Sequence, residues 1–482
     1  MYKLKKIAVY ICKSYALDFR ALGLMRIATG LIVIVDLLIR GSDLSAHYTG
    51  EGMWPVHLIK TFGWNTGFWS LHALSDNYWW EFFLFSVHFF FAFFLLIGFK
   101  TKFSTFIVWA LLISLHNRNL FILQSGDDVL RLLLFWGLFL PWSNCYSVDS
   151  VNVNYRPKQN NIANLGYLLF ISSIYFFTVC LKSSPEWHDE STAIYYALSL
   201  EQLRLPIGEW LYNYPSLMKL LTRFVFYLEL VIPFLILFPA KKGYLRLIAF
   251  ILLLLLHIGI GLTLYVGLFY IINIISSIAL IPSCVLNKLQ GKFRFFKTSV
   301  ARGFIQMPSK FSKAKQLVFN YFLSSIIIFC LFINLSFMNW FNYQLKSEFY
   351  YPVHILRLNQ YWGMFSPSIL KKDGWFVYYG IDSLGRQWDL YRNQDYVDFS
   401  KPKRIVSMYK TDRWRKLAEN MQSDNFTFLR PLYGTYILKQ WNKQHPNKKM
   451  ITLNLYYMTK QNLPNYQTTV PEKKLYTVSI DN

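Results

Sequence analysis

The sequence predicts an α-helical polytopic membrane bundle of about nine transmembrane helices, with a small α+β extracytoplasmic domain at its C-terminal end. Three observations predict it. Of the 482 residues 54% are hydrophobic and 19% aromatic, and the apolar residues gather in long blocks instead of spreading through amphipathic elements. Lys and Arg collect in the short loops between alternate blocks. From about Lys346 the composition changes to mixed charge with strand-like alternation.

Residues 1–20 place Leu4, Ile7, Ala8, Ile11 and Tyr15 on one helical face with Lys5, Lys6 and Lys13 opposite, the pattern of a helix lying flat on the cytoplasmic leaflet. They lack a short apolar core followed by a small-residue cleavage site, so they do not read as a cleaved signal peptide. Residues 21–340 hold the bundle, with apolar blocks near 22–38, 82–99, 106–115, 129–142, 163–181, 224–238, 244–264, 265–282 and 318–337. The third and fourth blocks are short against the roughly 20 residues a span needs, so they are expected to extend into polar flanks shielded by protein. The seventh and eighth run together with no charged residue between Arg246 and Lys288, which predicts a tight hairpin around "GIGLTLYVG". The loops "FKTKF", "NYRPKQNN", "AKKGYLR" and "NKLQGKFRFFKTSVARGFIQMPSKFSKAKQ" are basic, while the alternate loops carry Asp and Glu. That asymmetry puts the N-terminus in the cytoplasm and residues 341–482 outside. In that last domain "WFVYYGID", "QWDLYR", "MITLNLYYM" and "KKLYTVSI" read as strands, "TDRWRKLAENMQ" and "RPLYGTYILKQWNKQ" as helices, and "NQYWGMFSP" as a contact with the membrane.

The formal charge of +24 raises nucleic acid as a partner, but the basic residues sit in loops between apolar blocks, with no stripe interleaved with stacking aromatics. The partner they imply is the lipid bilayer. Cys12, Cys145, Cys180, Cys284 and Cys330 have no CxxC spacing, so neither a disulfide framework nor a metal site is predicted. No inverted repeat supports a transporter.

The polar residues inside or beside the blocks are the candidates for function. Asp127 and Asp128 open the fourth block and Arg131 lies four and three residues on, so either pair can meet on one helix face, and carboxylates suit a helix N-terminus. Asp36 and Arg40 end the first block with the same spacing. Lys182 follows the fifth block, His257 lies in the seventh, and Glu229 sits midway through "FVFYLELVIPFLILF". Each has a structural alternative: a capped and paired helix start for Asp127, Asp128 and Arg131, snorkelling for Lys182, packing for His257, and pairing with a residue such as Arg26 for Glu229. The functional alternative is that they face a shared polar cavity in the outer half of the bundle. A buried Lys182 could be held as a neutral amine able to take a proton.

"RIATGLIVIVDLLIRGSDLSAHYTGEGMWP", "HNRNLFILQSGDDVLRLLLFWGLFLPWSNCYSVDS" and "LKSSPEWHDESTAIYYALSLEQ" resemble the horizontally transferred transmembrane domain family, to which vitamin K-dependent gamma-carboxylase belongs. The resemblance covers roughly residues 15–290, and "LNQYWGMFSPSILKKDGWFVYYGIDSLGRQWDLYR" looks like the extension of bacterial members with an exported C-terminal domain. It implies that Lys182, ahead of Trp187 and an acidic cluster, is the base that deprotonates a reduced quinone, with oxygen and carbon dioxide as co-reactants. His257, ten residues before Gly267 and followed by Phe269, matches a histidine with the same spacing in the carboxylase. Arg118 belongs to the "HNRN" motif and joins Asp127, Asp128, Arg131, Trp187 and Glu229 as a candidate for the polar cavity. Where the carboxylase has an Asn-His pair this chain has "QSGDD", the pattern of bacterial members.

Two functions follow. One is a carboxylase-like enzyme in a bacterial cytoplasmic (inner) membrane, linked to a menaquinol-like quinone and modifying an exported peptide or surface protein; "YWWEFFLFSVHFFFAFFLL" could line the quinone pocket or, equally well, face lipid. The other is a non-enzymatic membrane factor for the maturation, export or immunity of such a protein.

Overall fold

The computed structural model describes residues 15–151, 158–159, 162–292, 313–341, 343 and 346–480. The chain is mostly helical, with a small antiparallel sheet in its C-terminal region. In chain order the main helices of the N-terminal part are α1 (Phe19–Gly41), α2 (Tyr78–Ile97), α3 (Thr101–Arg118), α4 (Ser125–Gly137), α5 (Ile162–Leu181), α6 (Pro215–Leu237), α7 (Tyr244–Thr263), α8 (Phe269–Ser277) and α9 (Lys313–Ser336). Among the described residues α1, α2, α5, α6, α7 and the apolar part of α9 are long and apolar enough to cross a membrane. Residues 269–280 with 283–289 form a further pair, bent by 96° at its break, and α7 leads into it through a short turn where the hairpin is expected. The third and fourth apolar blocks become α3 and α4, whose ends are polar yet buried.

The amphipathic face of Leu4, Ile7, Ala8 and Ile11 lies outside the described residues. Leu17 and Asp18 pair with Lys158 and Gln159 as a two-residue strand, and the Asp18 side chain caps α1 by accepting the Arg20 N–H at 2.9 Å.

Helix α2 shows what its aromatic composition is for. Its buried residues, Glu81, Leu84, Phe85, His88, Ala92 and Leu95, recur at three- and four-residue intervals, while Phe82, Phe83, Phe89, Phe90 and Phe93 are exposed. Those five phenylalanines face outward, as lipid-contacting side chains do, and only Phe85 turns fully inward. Gly30 lets α1 and α2 approach closely: a Cβ there would lie 2.7 Å from the Leu96 backbone nitrogen. Such small-residue contacts drive helix association where the surrounding solvent is itself apolar.

The C-terminal part contains α10 (Asp412–Gln422), α11 (Leu429–Gln444) and four strands, β1 (Lys372–Asp382), β2 (Gln387–Asp389), β3 (Met450–Gln461) and β4 (Glu472–Ile480), in the spatial order β2-β1-β3-β4. All neighbours are antiparallel, with Phe376 opposite Tyr457 and Tyr378 opposite Leu455 in the β1–β3 ladder. Helix α11 packs on β3 and β4. In the segment expected to touch the membrane, Tyr361 is exposed while Trp362 packs into the bundle. Trp362 is buried, its ring centroid is 6.4 Å from that of Phe170 on α5, and its carbonyl accepts from the Thr178 hydroxyl at 3.1 Å. The ring contact and the backbone bond together hold this segment against α5.

Candidate functional site

Helix α4 starts where it does because Gln124 and Asp127 close its first turn: the Gln124 N–H donates to Asp127 Oδ2 at 2.8 Å. Asp127 Oδ1 accepts from Arg40 Nη2 at 2.6 Å and from Arg413 Nη2 at 2.8 Å, with His116 Nε2 3.5 Å away. Arg40 Nε donates to Asp36 Oδ2 at 2.7 Å, one turn back on α1, and its Nη1 to the Tyr48 hydroxyl at 2.9 Å. Asp36 Oδ1 accepts from Arg413 Nη2 at 2.7 Å. Two carboxylates and two guanidiniums thus close a buried, charge-neutral ring. Burial and the neighbouring Arg40 both act to lower the Arg413 pKa, but Asp127 and Asp36 outweigh them and leave it raised, so Arg413 stays charged.

Where the sequence places an outer-facing polar cavity, α10 therefore delivers the side chain of Arg413. Asp128 takes the other partner expected of it: Arg131 Nη2 donates to Asp128 Oδ1 at 2.6 Å. Arg131 Nε donates to the Arg357 carbonyl at 2.8 Å, a contact 226 residues away in sequence.

A second polar group forms at the end of α5. Lys182 directly follows the helix, its N–H still bonded to the Val179 carbonyl at 3.1 Å. The residue is only 3% exposed; its ammonium donates to Glu229 Oε2 on α6 and lies 3.9 Å from the Trp187 ring centroid, a cation–π distance. Trp187 is fixed by donating Nε1–H to the Phe365 carbonyl at 2.9 Å. Tyr175 stands two turns back from Lys182 on α5, within electrostatic reach of Glu229, and its hydroxyl is 2.7 Å from His257 Nε2 on α7. His257 Nδ1 has no hydrogen-bond partner. Lys182, Glu229, Tyr175 and His257 make a buried polar line across α5, α6 and α7.

No protein-family model matches the chain, and no curated protein or solved structure matches it significantly. The functional reading rests on the residues themselves.

The candidates thus fall into groups. Asp127, Asp128 and Arg131 meet at the mouth of α4; Lys182, Glu229 and Trp187 meet at the end of α5, with His257 one side chain further on. Arg118 belongs to neither: it donates to the carbonyls of Trp54 at 2.6 Å and Tyr48 at 2.7 Å and to Asp76 Oδ1 at 3.1 Å. Glu229 pairs with Lys182 and not with Arg26, whose guanidinium donates to the Leu95 and Leu96 carbonyls at 2.5 and 2.8 Å. Those carbonyls belong to the last turn of α2, where main-chain acceptors outnumber main-chain donors, so Arg26 is committed elsewhere. Gly267 adopts φ +57°, and a Cβ there would lie 2.7 Å from Asp412 Oδ2, so the turn between α7 and α8 is shaped to lie under α10. Among the described residues no group of three or more His, Cys, Asp or Glu is arranged to hold a metal.

Reasoning from the sequence missed Arg413, His116 and Tyr175, which have no local partner to advertise them. It also passed over Glu81 and His88 on α2, for which a signal existed: two ionisable residues seven apart in an apolar helix share one face.

Proposed function

We propose that the chain is a carboxylase-like integral membrane enzyme that works in the outer half of a bacterial cytoplasmic membrane on an exported peptide or protein, with Lys182 as its base. The observation that carries this reading is the Lys182–Glu229 pair, buried under Trp187 and continued by Tyr175 and His257. A lysine held in this way has a carboxylate ready to receive its proton, and the free amine could then take one from an acidic hydroxyl. His257, bonded through Nε2 to Tyr175, offers Nδ1 to a second oxygen. An amine, a carboxylate, a phenol and an unpartnered imidazole nitrogen suit the two hydroxyls of a reduced, menaquinol-like quinone. Oxidised by oxygen there, such a quinone would supply the strong base that removes a proton from the γ-carbon of a glutamate, to which carbon dioxide adds. Trp187 shields the pair from water, which strengthens it.

On this reading α3, α4 and the bent pair at 269–289 also cross the bilayer, which gives the nine spans expected from the sequence, with the N-terminus cytoplasmic and residues 346–480 outside. The support for the outer location is that the Lys182 group, the α4 mouth and the C-terminal sheet lie at one end of the bundle, joined by contacts such as Trp187 to Phe365 and Arg413 to Asp127.

The same ion pair favours a second reading if it is a purely structural contact: a non-enzymatic membrane factor for maturation, export or immunity. Mass spectrometry of exported proteins from cells carrying the wild type, a deletion and Lys182→Ala separates the two. The enzyme reading expects an added carbon dioxide on glutamate in the wild type alone. No covalent difference, with Lys182→Ala behaving as wild type, overturns it in favour of the second.

A further inference from the structure

Outside both groups, a third set of ionisable side chains runs into the bundle along the buried face of α2. Glu81 Oε2 lies 2.6 Å from His72 Nδ1, and Glu81 Oε1 is 3.8 Å from Arg118 Nε. Arg118 also bonds Asp76, whose side chain is 35% exposed. Two turns deeper, His88 lies within electrostatic reach of His72 and of Asp36 and Arg40 on α1, beside the Val108 carbonyl of α3. His72, Glu81 and His88 have no solvent exposure, and neither His72 Nε2 nor either ring nitrogen of His88 meets hydrogen-bond geometry. The charged groups facing His72 are Arg118, Arg40 and Glu81, and those facing Glu81 are Arg118, Asp76 and His72.

Buried polar atoms are normally satisfied, and a position that needs only packing inside an apolar bundle takes an apolar side chain without the desolvation cost. Three buried ionisable residues on one side of α2, with unpartnered imidazole nitrogens and a partly exposed carboxylate on their shared Arg118, are the kind of set that exchanges protons inside a membrane. We propose that Glu81, His72 and His88 form a proton-exchanging site inside the bundle, with Asp76 as its opening to water and Arg118 as its fixed counter-charge. The proton passes directly between the Glu81 carboxylate and His72 Nδ1, 2.6 Å apart, and the imidazole can then give up the proton on its Nε2. Only O–H and N–H bonds are broken and made, and no electron moves. His88 is within electrostatic reach of Asp36 and Arg40, so a proton held there is felt by the ring that closes α4. This site shares no residue with the Lys182 group, and its test is independent of the carboxylase reading.

The test is infrared titration of the full chain in lipid nanodiscs between about pH 5 and about pH 9, for the wild type, E81Q, H72Q and H88F, all four carrying D373N so that the Asp373 carboxyl, which titrates in the same range, is absent. Elution as a single folded species qualifies each variant. The expected result is a carboxyl band that titrates in the wild type, is absent in E81Q, and has its midpoint moved by about one unit or more in H72Q and in H88F, as coupled sites require. The proposal is overturned if the titrating band survives E81Q, if no carboxyl or imidazole band changes in that range, or if the midpoint in both histidine variants equals that of the wild type.

Discussion

Arg413 Nη2 donates to Asp36 Oδ1 at 2.7 Å across 377 residues of sequence, and through this bond the C-terminal part of the chain is fastened to the first helix of the bundle. Arg413→Ala leaves Asp36 and Asp127 sharing Arg40 alone, an uncompensated buried charge that costs about 3–5 kcal/mol. Thermal unfolding in detergent should show the loss, and limited proteolysis should cut between the bundle and β1 in the variant first. Arg413→Lys should recover only part of it, since an ammonium cannot span both carboxylates as the guanidinium fork does.

Lys182 and Glu229 should behave as a unit. Lys182→Met or Glu229→Leu alone strands its partner, at about 3–5 kcal/mol, whereas the double variant should regain most of that stability. A thermal-shift double-mutant cycle measures the coupling. If the pair also does the chemistry, the double variant is stable and inactive, which separates structural from chemical loss.

Asp373 should make the C-terminal part sensitive to pH. Burial raises its carboxyl to about 6, against the opposing effects of the Glu201 N–H and Lys460; the Glu201 N–H donates to Oδ2 at 2.7 Å. The folded chain binds this proton more tightly than the unfolded one. The stabilisation is therefore complete below the ordinary carboxyl range and is lost as pH rises through about 6. Stability should fall by about 2–3 kcal/mol for this group between about pH 4 and about pH 7, and Asp373→Asn should flatten that part of the profile of unfolding temperature against pH.

Gly267→Ala should cost about 1–3 kcal/mol, because the backbone is in the left-handed region and the added carbon meets Asp412 Oδ2 at 2.7 Å. Asp412 Oδ1 is meanwhile held by Arg415 Nε at 2.6 Å, so the carboxylate is not free to swing away. Chemical denaturation of the variant checks this.

What could be read from the sequence is what local spacing controls. The strands around Trp375, Trp388, Leu453 and Leu475 and the two helices between them follow from alternation and amphipathic period. The Asp36–Arg40 and Asp128–Arg131 pairs follow from intervals of four and three residues. Lys182 with Glu229, Asp127 with Arg413, and Arg131 with the Arg357 carbonyl do not, because these contacts join segments whose relative placement depends on how whole helices pack. The aromatic run of α2 misleads for a related reason: composition says that the rings seek apolar surroundings, but not whether those are lipid or a pocket.

The ring at α4 also imposes an order on synthesis. Asp36 and Asp127 belong to helices made early, and Arg40 alone cannot neutralise both. Their second counter-charge, Arg413, is encoded 286 residues after Asp127. Until Arg413 is made, one of the two carboxylates must stay in water or take up a proton. A product cut before residue 413 keeps two carboxylates with one guanidinium, so the ring closes only when Arg413 arrives.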